Sequence, residues 1–245
     1  MEVHAHSHTE RKKWTHYLWE FLMLFLAVFC GFLAENQREH MIEHKREKQF
    51  MISLGEDLTE DINILNKQIA AGDINLIQMD SLMFYLNNNT SKNQNNRIYF
   101  LGRLASRHAI FNYDNRTIDQ MRNSGAFRLI QKQQVSNRIM GYYRQIKLLE
   151  MLEGIEKEEE HEYRKLAVKV FDPLIFNSMG TIKDSIVSPI GNSPLRTSDQ
   201  ALLTDLSGWI QYIKSSIQGL TEFKKGLKRS AEDLIQLIRN EYHLK

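Results

Sequence analysis

The spacing of apolar and polar positions changes character along the chain, and each change marks an element. From Phe21 to Ala34 no side chain is charged or strongly polar. That run makes about 21 Å of helix at 1.5 Å per residue, against a hydrocarbon core of roughly 30 Å. A full span therefore recruits Tyr17, Leu18 and Trp19, and it brings Glu20 to the edge of the apolar layer. The pattern predicts a single transmembrane helix over 14–34, with Trp14, Tyr17 and Trp19 as its interfacial aromatic belt.

The pattern then turns polar. Between Glu35 and Lys48 only Met41 and Ile42 are apolar, and Glu39, Glu43 and Glu47 recur every fourth residue among Arg38, Lys45, Arg46 and Lys48. Mixed signs at this spacing support an exposed helix through pairs worth a few tenths of a kcal/mol each, ~0.2–0.5. No Pro or Gly interrupts the exit, so the span is expected to continue into a charged stalk over 35–53.

Apolar residues next return at intervals of three, four or seven: Leu54, Leu58, Ile62, Leu65, Ile69, Leu76, Met79, Met83 and Leu86. One apolar seam of this kind is the mark of a bundle helix. Gly72 weakens the pattern and reads as a bend, and the asparagine-rich run from Asn87 to Asn96 reads as a loop. Short helices are expected over Ile98–Ala109 and Thr117–Arg122, the second closed at Asn123-Ser124-Gly125 by a left-handed glycine. A second long helix begins near Lys132 with Val135, Ile139, Tyr142, Ile146, Leu149, Leu152 and Ile155. It crosses the charged stretch Glu156–Glu162 and runs toward Phe171, with Pro173 near its end. Residues 176–196 read as a loop. Thr197 and Gln200 form a capping box opening the last helix, whose seam is Leu203, Leu206, Ile210, Ile213, Ile217, Leu220, Leu227, Leu234 and Leu237. The fold class expected is all-α: an N-terminal transmembrane helix continuing into a stalk, then an antiparallel bundle of long helices with a short-helix middle segment.

Composition narrows the function classes. The 245 residues hold three prolines, twelve glycines and a formal charge of +2, so no basic footprint for nucleic acid is visible. Cys30 is the single cysteine and lies in the apolar run, which leaves the remaining chain, 54–245, without a disulfide. Arg11, Lys12 and Lys13 resemble the basic start of a signal peptide, but Phe32 stands where a cleavage site needs a small residue. The same three cations sit against the span, while four (Arg38, Lys45, Arg46, Lys48) follow it. Contiguity places the 1–13 tail in the cytoplasm and the domain 54–245 outside it, in an inner (cytoplasmic) membrane protein.

Glu20, Ala27 and Ala34 are separated by sevens, with Gly31 on the same stripe. Small residues on one face let helix backbones approach, so this face is a candidate for self-association or for binding another membrane protein, besides the lipid bilayer itself. The alternative is an ordinary lipid-facing helix.

At this point two stretches look familiar. Glu20-Phe-Leu-Met-Leu-Phe-Leu-Ala27, then Gly31, Ala34 and Asn36, resembles the anchor of a bacterial family of uncharacterised single-pass membrane proteins. Thr117-Ile118-Asp119-Gln120-Met121-Arg122-Asn123-Ser124-Gly125-Ala126-Phe127-Arg128-Leu129-Ile130, followed by Tyr142-Tyr143, is similar to that family's second motif. The tryptophan often found after the family's Asn is absent here. The resemblance implies an anchor and a helical domain, and no known activity.

Candidate chemistry is sparse. His40, Glu43 and His44 fit the inverted zinc-peptidase pattern, with two imidazoles one helical turn apart and a glutamate as base. The competing explanation is a charged stalk in which such patterns arise by composition, and no third ligand is defined. Glu158 and His161 supply one Glu-x-x-His unit, where di-iron bundles use two and no second copy is present; a solvated acidic face is the favoured explanation. His4, His6 and His8 alternate in the tail, a pattern with adventitious metal affinity. Tyr113, Asp114, Asn115 and Arg116 sit where a surface pocket could form, or are simply turn residues. No cofactor is expected. The reading is a non-enzymatic membrane-anchored interaction or sensing module; the alternative is a metal-dependent hydrolase on His40, Glu43 and His44.

Overall fold

The computed structural model describes residues 14–88, 93–107, 109–180 and 185–244. His4, His6, His8 and the basic Arg11, Lys12 and Lys13 lie outside the described residues, as do 89–92 of the asparagine-rich loop. Among the described residues the regular structure is helical, apart from one antiparallel bridge between Gly180 and Ile186. The chain forms two compact units, 1–50 and 51–245.

Helix α1 (Trp14–Asn87) contributes to both units. No proline occurs anywhere in it, which is what permits 74 residues of unbroken i→i−4 bonding. In the first unit its apolar side chains, Phe21, Leu24, Phe25 and Phe32 among them, are exposed. This helix is long and apolar enough to cross a membrane, and none of its apolar window is buried within the chain.

The second unit contains the rest of α1, then α2 (Asn95–Leu104), α3 (Arg116–Asn123), a 3-10 turn (Ala126–Leu129), α4 (Gln133–Val170), α5 (Pro173–Ser178) and α6 (Gln200–Tyr242). Its core is built largely of seam residues read from the sequence, among them Leu54, Leu58, Leu65, Ile139, Ile146, Ile210 and Ile213, joined by Met51, Leu82, Tyr163 and Phe171. Ile155, read as part of the α4 seam, is instead exposed on the opposite side of that helix. Order along the helices gives their directions. Asn87 donates to Ser207 at 3.0 Å and Asp73 lies 3.6 Å from Lys225, so α1 and α6 are antiparallel. Gln145 accepts from Ser230, and Lys132 pairs with Glu241, so α4 and α6 are antiparallel too. Helices α1 and α4 run in the same direction, with Asp61 beside Tyr142 and Leu82 clustering with Tyr163 and Val170. Parallel neighbours require a long return connection, and residues 93–132 make it.

The helix ends follow local chemistry, with some differences from the sequence expectations. Helix α2 starts at Asn95 and stops at Leu104 rather than running from Ile98 to Ala109. Gly125 takes φ 67° after α3, as expected for a left-handed stop. Pro173 opens the short helix α5, whose end runs into the 176–196 stretch expected to be a loop; the pyrrolidine suits the first helical turn, and Asp172 caps it by accepting from Leu174 N at 2.8 Å. The capping box at Thr197 and Gln200 does not form. Asp199 is the N-cap of α6, accepting from Ala201 N at 3.0 Å, while Thr197 accepts from Asp199 N.

Gly72 marks close packing rather than a bend. A Cβ there would lie 2.3 Å from Thr221 Oγ1 of α6. Gly102 plays the same part in α2, where a Cβ would meet the Phe171 ring at 2.3 Å.

Candidate functional site

The part of the second unit richest in buried polar chemistry is the return connection. Residues 105–107 and 109–115 leave α2 without re-entering a helix, so their backbone donors and acceptors need partners from elsewhere. Helices α1 and α4 supply them from side chains set into their apolar seams.

Asp57 and Asp61 are one turn apart on the buried face of α1, with Leu54, Leu58 and Leu65. Asp61 Oδ1 accepts from Asp114 N at 2.8 Å and its Oδ2 from the Tyr142 hydroxyl at 2.7 Å. Asp57 Oδ2 accepts from Thr117 N at 2.9 Å, and its Oδ1 takes the Arg116 guanidinium. From α4, Glu153 receives Phe111 N at 3.2 and 3.3 Å on its two oxygens. The same carboxylate holds Lys224 of α6 at 2.8 Å, and both side chains are nearly buried. Farther along, Tyr163 donates to Gly102 O at 2.7 Å, and Arg164 donates to Ser106 O and to Glu160 at 2.7 Å each. Gln68 of α1 donates to Ile110 O at 3.0 Å. The connection is thus a strap, clamped along its length by side chains of the helices beneath it.

Burial is the largest influence on Asp61, pushing its carboxyl up from the ordinary value of 3.8 to about 6. The Asp114 amide and Tyr142 hydroxyl pull it back, while the charges of Asp114 and Asp57 add to the rise. Tyr142 and Tyr143 are held far above the ordinary phenol range, first by burial and then by the Asp61 charge. Phe111, Tyr113, Tyr142 and Tyr143 form a run of ring contacts, and the Arg122 guanidinium lies 5.6 Å from the Tyr143 ring centre.

Both oxygens of Asp57, Asp61 and Glu153 are committed to donors of the chain itself. As it stands, the cluster fastens the strap to α1 and α4 through direct charge-assisted hydrogen bonds, and Glu153 ties α4 to α6 through Lys224.

The sequence candidates fall out differently. Tyr113, Asp114 and Arg116 do come together, within the clamped strap. Asp114 meets Asp61 through its backbone amide, Arg116 is spent on Asp57, and Tyr113 stacks near Phe111 and Tyr143. Two cavities among the described residues lie elsewhere. One groove of about 330 Å³ is lined by Met51, Gly55 and Thr59 of α1 and Ile235, Ile238 and Arg239 of α6. A pocket of about 50 Å³ lies among Gln68, Gly72, Glu156, Thr221 and Lys224, roomy enough for a water or two.

On the first unit, His44 Nδ1 lies 3.3 Å from Glu47 Oε2, one turn onward, rather than gathered with Glu43 and His40. Among the described residues no group of three or more His, Cys, Asp or Glu side chains converges as a metal site. Glu20 Oε1 lies 2.9 Å from His16 Nε2 on the preceding turn. Ala27, Gly31 and Ala34 are exposed, and nothing lies within 4 Å of the Cβ position at Gly31.

The stretch Glu156–Glu162 corrects a sequence expectation. Glu158 and His161 are exposed, but Glu156 and Glu160 are 3 and 1 % exposed and belong to the buried face of α4. A signal for this was present. Asp57, Asp61, Glu153, Glu156, Glu160 and Lys224 all occupy positions in phase with the apolar seams of their helices. A charge in phase with a seam marks a buried polar contact.

Comparison of the chain with protein-family models, with curated proteins and with solved structures finds no match.

Proposed function

We propose that the chain is a single-pass, membrane-anchored interaction module that acts by binding rather than by catalysis. The observation that carries this reading is the contrast in α1. Its apolar residues from Trp14 to Ala34 are uncovered by any part of the chain, whereas the apolar seams beyond residue 50 are buried in a core of their own. Each large apolar side chain moved from water into lipid gains about 1.5–3 kcal/mol, so insertion of the span is strongly favoured. In this proposal the N-terminus is cytoplasmic, the membrane is the inner membrane of a bacterium, and 54–245 lies outside the cytoplasm. The proposal also includes membership in the single-pass family that the Glu20 and Thr117–Ile130 motifs resemble. The Glu20, Ala27, Gly31 and Ala34 face is its contact within the bilayer, with a second copy or another membrane protein.

Anchoring is tested by alkaline carbonate extraction of membranes. The wild-type chain is expected to stay in the pellet, and Leu24→Arg with Val28→Arg to release it; extraction of the wild type overturns the reading. Orientation is tested in intact cells of a Cys30→Ser, Ser188→Cys chain with a membrane-impermeant maleimide. Labelling without lysis supports an outside domain, and labelling only after lysis reverses the topology. Disulfide cross-linking through the native Cys30 reads out the bilayer contact, and a strictly monomeric result removes it.

A further inference from the structure

Helix α2 and the turn after it concentrate positive charge. Between Asp80 and Asp114 the sequence holds no acidic residue, while Lys92, Arg97, Arg103 and Arg107 all fall in that interval. The arginines share one side of the helix. Ile98, Tyr99, Leu101 and Gly102 are buried against the core. At about 100° per residue, Arg97, Phe100, Arg103 and Leu104 make up the opposite face, and Arg107 continues it in the turn. Arg97 and Arg107 are exposed, with Phe100, Arg103 and Leu104 half-buried between them.

The surroundings hold these guanidiniums in place without neutralising them. Arg97 lies 5.8 Å from the centre of the Phe100 ring, and Arg103 lies 5.2 Å from that of Phe176 in α5. Stacking on a ring uses the flat face of a guanidinium and leaves its N–H edge for an acceptor. Arg164 of α4 donates to Ser106 O at 2.7 Å, which brings a further guanidinium to the turn between Arg103 and Arg107. Arg164 has Glu160 as its partner, but among the described residues Arg97, Arg103 and Arg107 make no ion pair. Burial, then the charges of Arg107 and Arg164, pull the pKa of Arg103 below its ordinary value. The folded chain therefore keeps like charges together at a cost, and an anion laid across them relieves it.

Phe100 and Leu104 decide which kind of anion fits. Arginine forks match carboxylates bidentately, and an apolar side chain between two acids has Phe100 and Leu104 to rest on. Arg97 and Arg103 are about 9 Å apart along α2, within reach of two side chains of one short segment. A layer of lipid headgroups offers charge but keeps its apolar chains below the phosphates. We propose that the outer face of α2 is a docking surface for an acidic peptide, a segment of a partner protein whose carboxylates meet Arg97, Arg103 and Arg107 and whose apolar side chains lie on Phe100 and Leu104. The inference rests on the reading of the chain as an interaction module and names the chemistry of that module's partner. The surface lies wholly within the second unit and is separate from the anchor face at Glu20, Ala27, Gly31 and Ala34.

The experiment uses the full chain in nanodiscs of phosphatidylcholine, titrated into a short fluorescein-labelled peptide of alternating Glu and Leu and followed by anisotropy. Saturable binding that weakens with added salt is expected. Arg97→Glu with Arg107→Glu, both at exposed positions, should weaken it about tenfold. Adding Arg103→Glu should give a chain that takes the corresponding Lys–Leu peptide in place of the Glu–Leu one, a gain that a folding defect would not produce. A wild type that binds neither peptide or both alike, or an affinity unmoved by charge reversal, overturns the proposal. So does capture of phosphatidylglycerol vesicles by a wild-type chain that ignores the peptide, which would make the face a membrane contact. Carbonate resistance and maleimide labelling are scored separately, so loss of the α2 contact is distinguishable from failure of the membrane reading.

Discussion

Glu20 and Glu153 are both acids in otherwise apolar stretches of long helices, and their surroundings are opposite. Glu20 is exposed and lies 2.9 Å from His16, one turn back on the same helix. Glu35 and Arg38 repeat this local arrangement before residue 50. Glu153 is nearly buried and reaches two other elements at once, the strap at Phe111 and α6 at Lys224. Asp57 and Asp61 behave like Glu153. Glu20 and Glu35 each meet a partner within one turn, while Glu153, Asp57 and Asp61 join parts of the chain far apart in sequence. A carboxylate exposed to solvent contributes little by pairing. A buried one is costly to orphan, so removing its partner or itself has large consequences.

The largest effect expected from this contrast is at Glu153. Glu153→Ala leaves the Lys224 ammonium buried without its carboxylate and Phe111 N without an acceptor, and it should destabilise the second unit by about 3–5 kcal/mol. The measurement is chemical denaturation of the full chain in detergent, followed by the aromatic signal of the bundle. Combining Glu153→Leu with Lys224→Met removes both charges and should recover much of the loss, because a well-packed apolar pair avoids the desolvation cost. Equal midpoints for wild type and Glu153→Ala would place the pair in water and end the distinction drawn from Glu20. Glu35→Ala, its counterpart in the first unit, should move the bundle's midpoint by no more than about 0.5 kcal/mol.

Glycines sharpen the same contrast at a smaller scale. Gly72 and Gly31 both sit inside α1, where glycine is unfavourable relative to alanine by about 1 kcal/mol. At Gly31 a methyl group meets nothing. At Gly72 it would press on Thr221, so Gly72→Ala should cost about 1–3 kcal/mol despite its better helix propensity. Adding Thr221→Ala should relieve part of that cost, since the Thr221 hydroxyl is the atom at 2.3 Å. Gly31→Ala should leave the bundle's denaturation midpoint where it is. A stabilising Gly72→Ala would show that α1 and α6 are not in close approach there.

Much of this architecture was legible in the sequence because seams, caps and glycine stops are local. The three long helices are recovered by three-four spacing and the apolar start of α1 by its unbroken apolar run, and α4 begins and ends within a residue of Lys132 and Phe171. The exposed Ile155 and the buried Glu156 and Glu160 show the limit of that signal. Polarity assigns a face only when the partners across it are water or hydrocarbon; for Glu153, in phase with the same seam, the partners are Phe111 N of the strap and Lys224 of α6, both far away in sequence. The cap of α6 failed for a milder reason. Thr197 and Asp199 both offer an oxygen to a helix start, and the backbone bend at Asp199 (φ −67°, ψ 109°) puts only the second in reach of the first turn. The strap itself is invisible to periodicity because it has none. Its clue lay in Asp57 and Asp61, charges in phase with a seam, which turn a polar interruption into a statement about what lies opposite.

The most delicate test of the buried carboxylates is the pH dependence set by Asp61. Its folded-state value of about 6 stands above the ordinary 3.8, so the folded chain holds this proton more tightly than the unfolded chain does. Stability from this group is therefore fully present below about 4 and is lost as pH rises through 6, the reverse of an acid held low by a salt bridge. Asp61→Asn keeps an oxygen for Asp114 N and titrates nothing. Denaturation of both proteins at pH 4.5 and 7.5 should find the asparagine variant gaining on the wild type as pH rises, whatever the other groups contribute to each curve. A gap that stays constant between those two pH values would mean that water reaches Asp61 and screens it. The clamp at Asp61 would then belong with the exposed pairs of the first unit, and the line between the two kinds of carboxylate would have to be redrawn between Asp61 and Glu153.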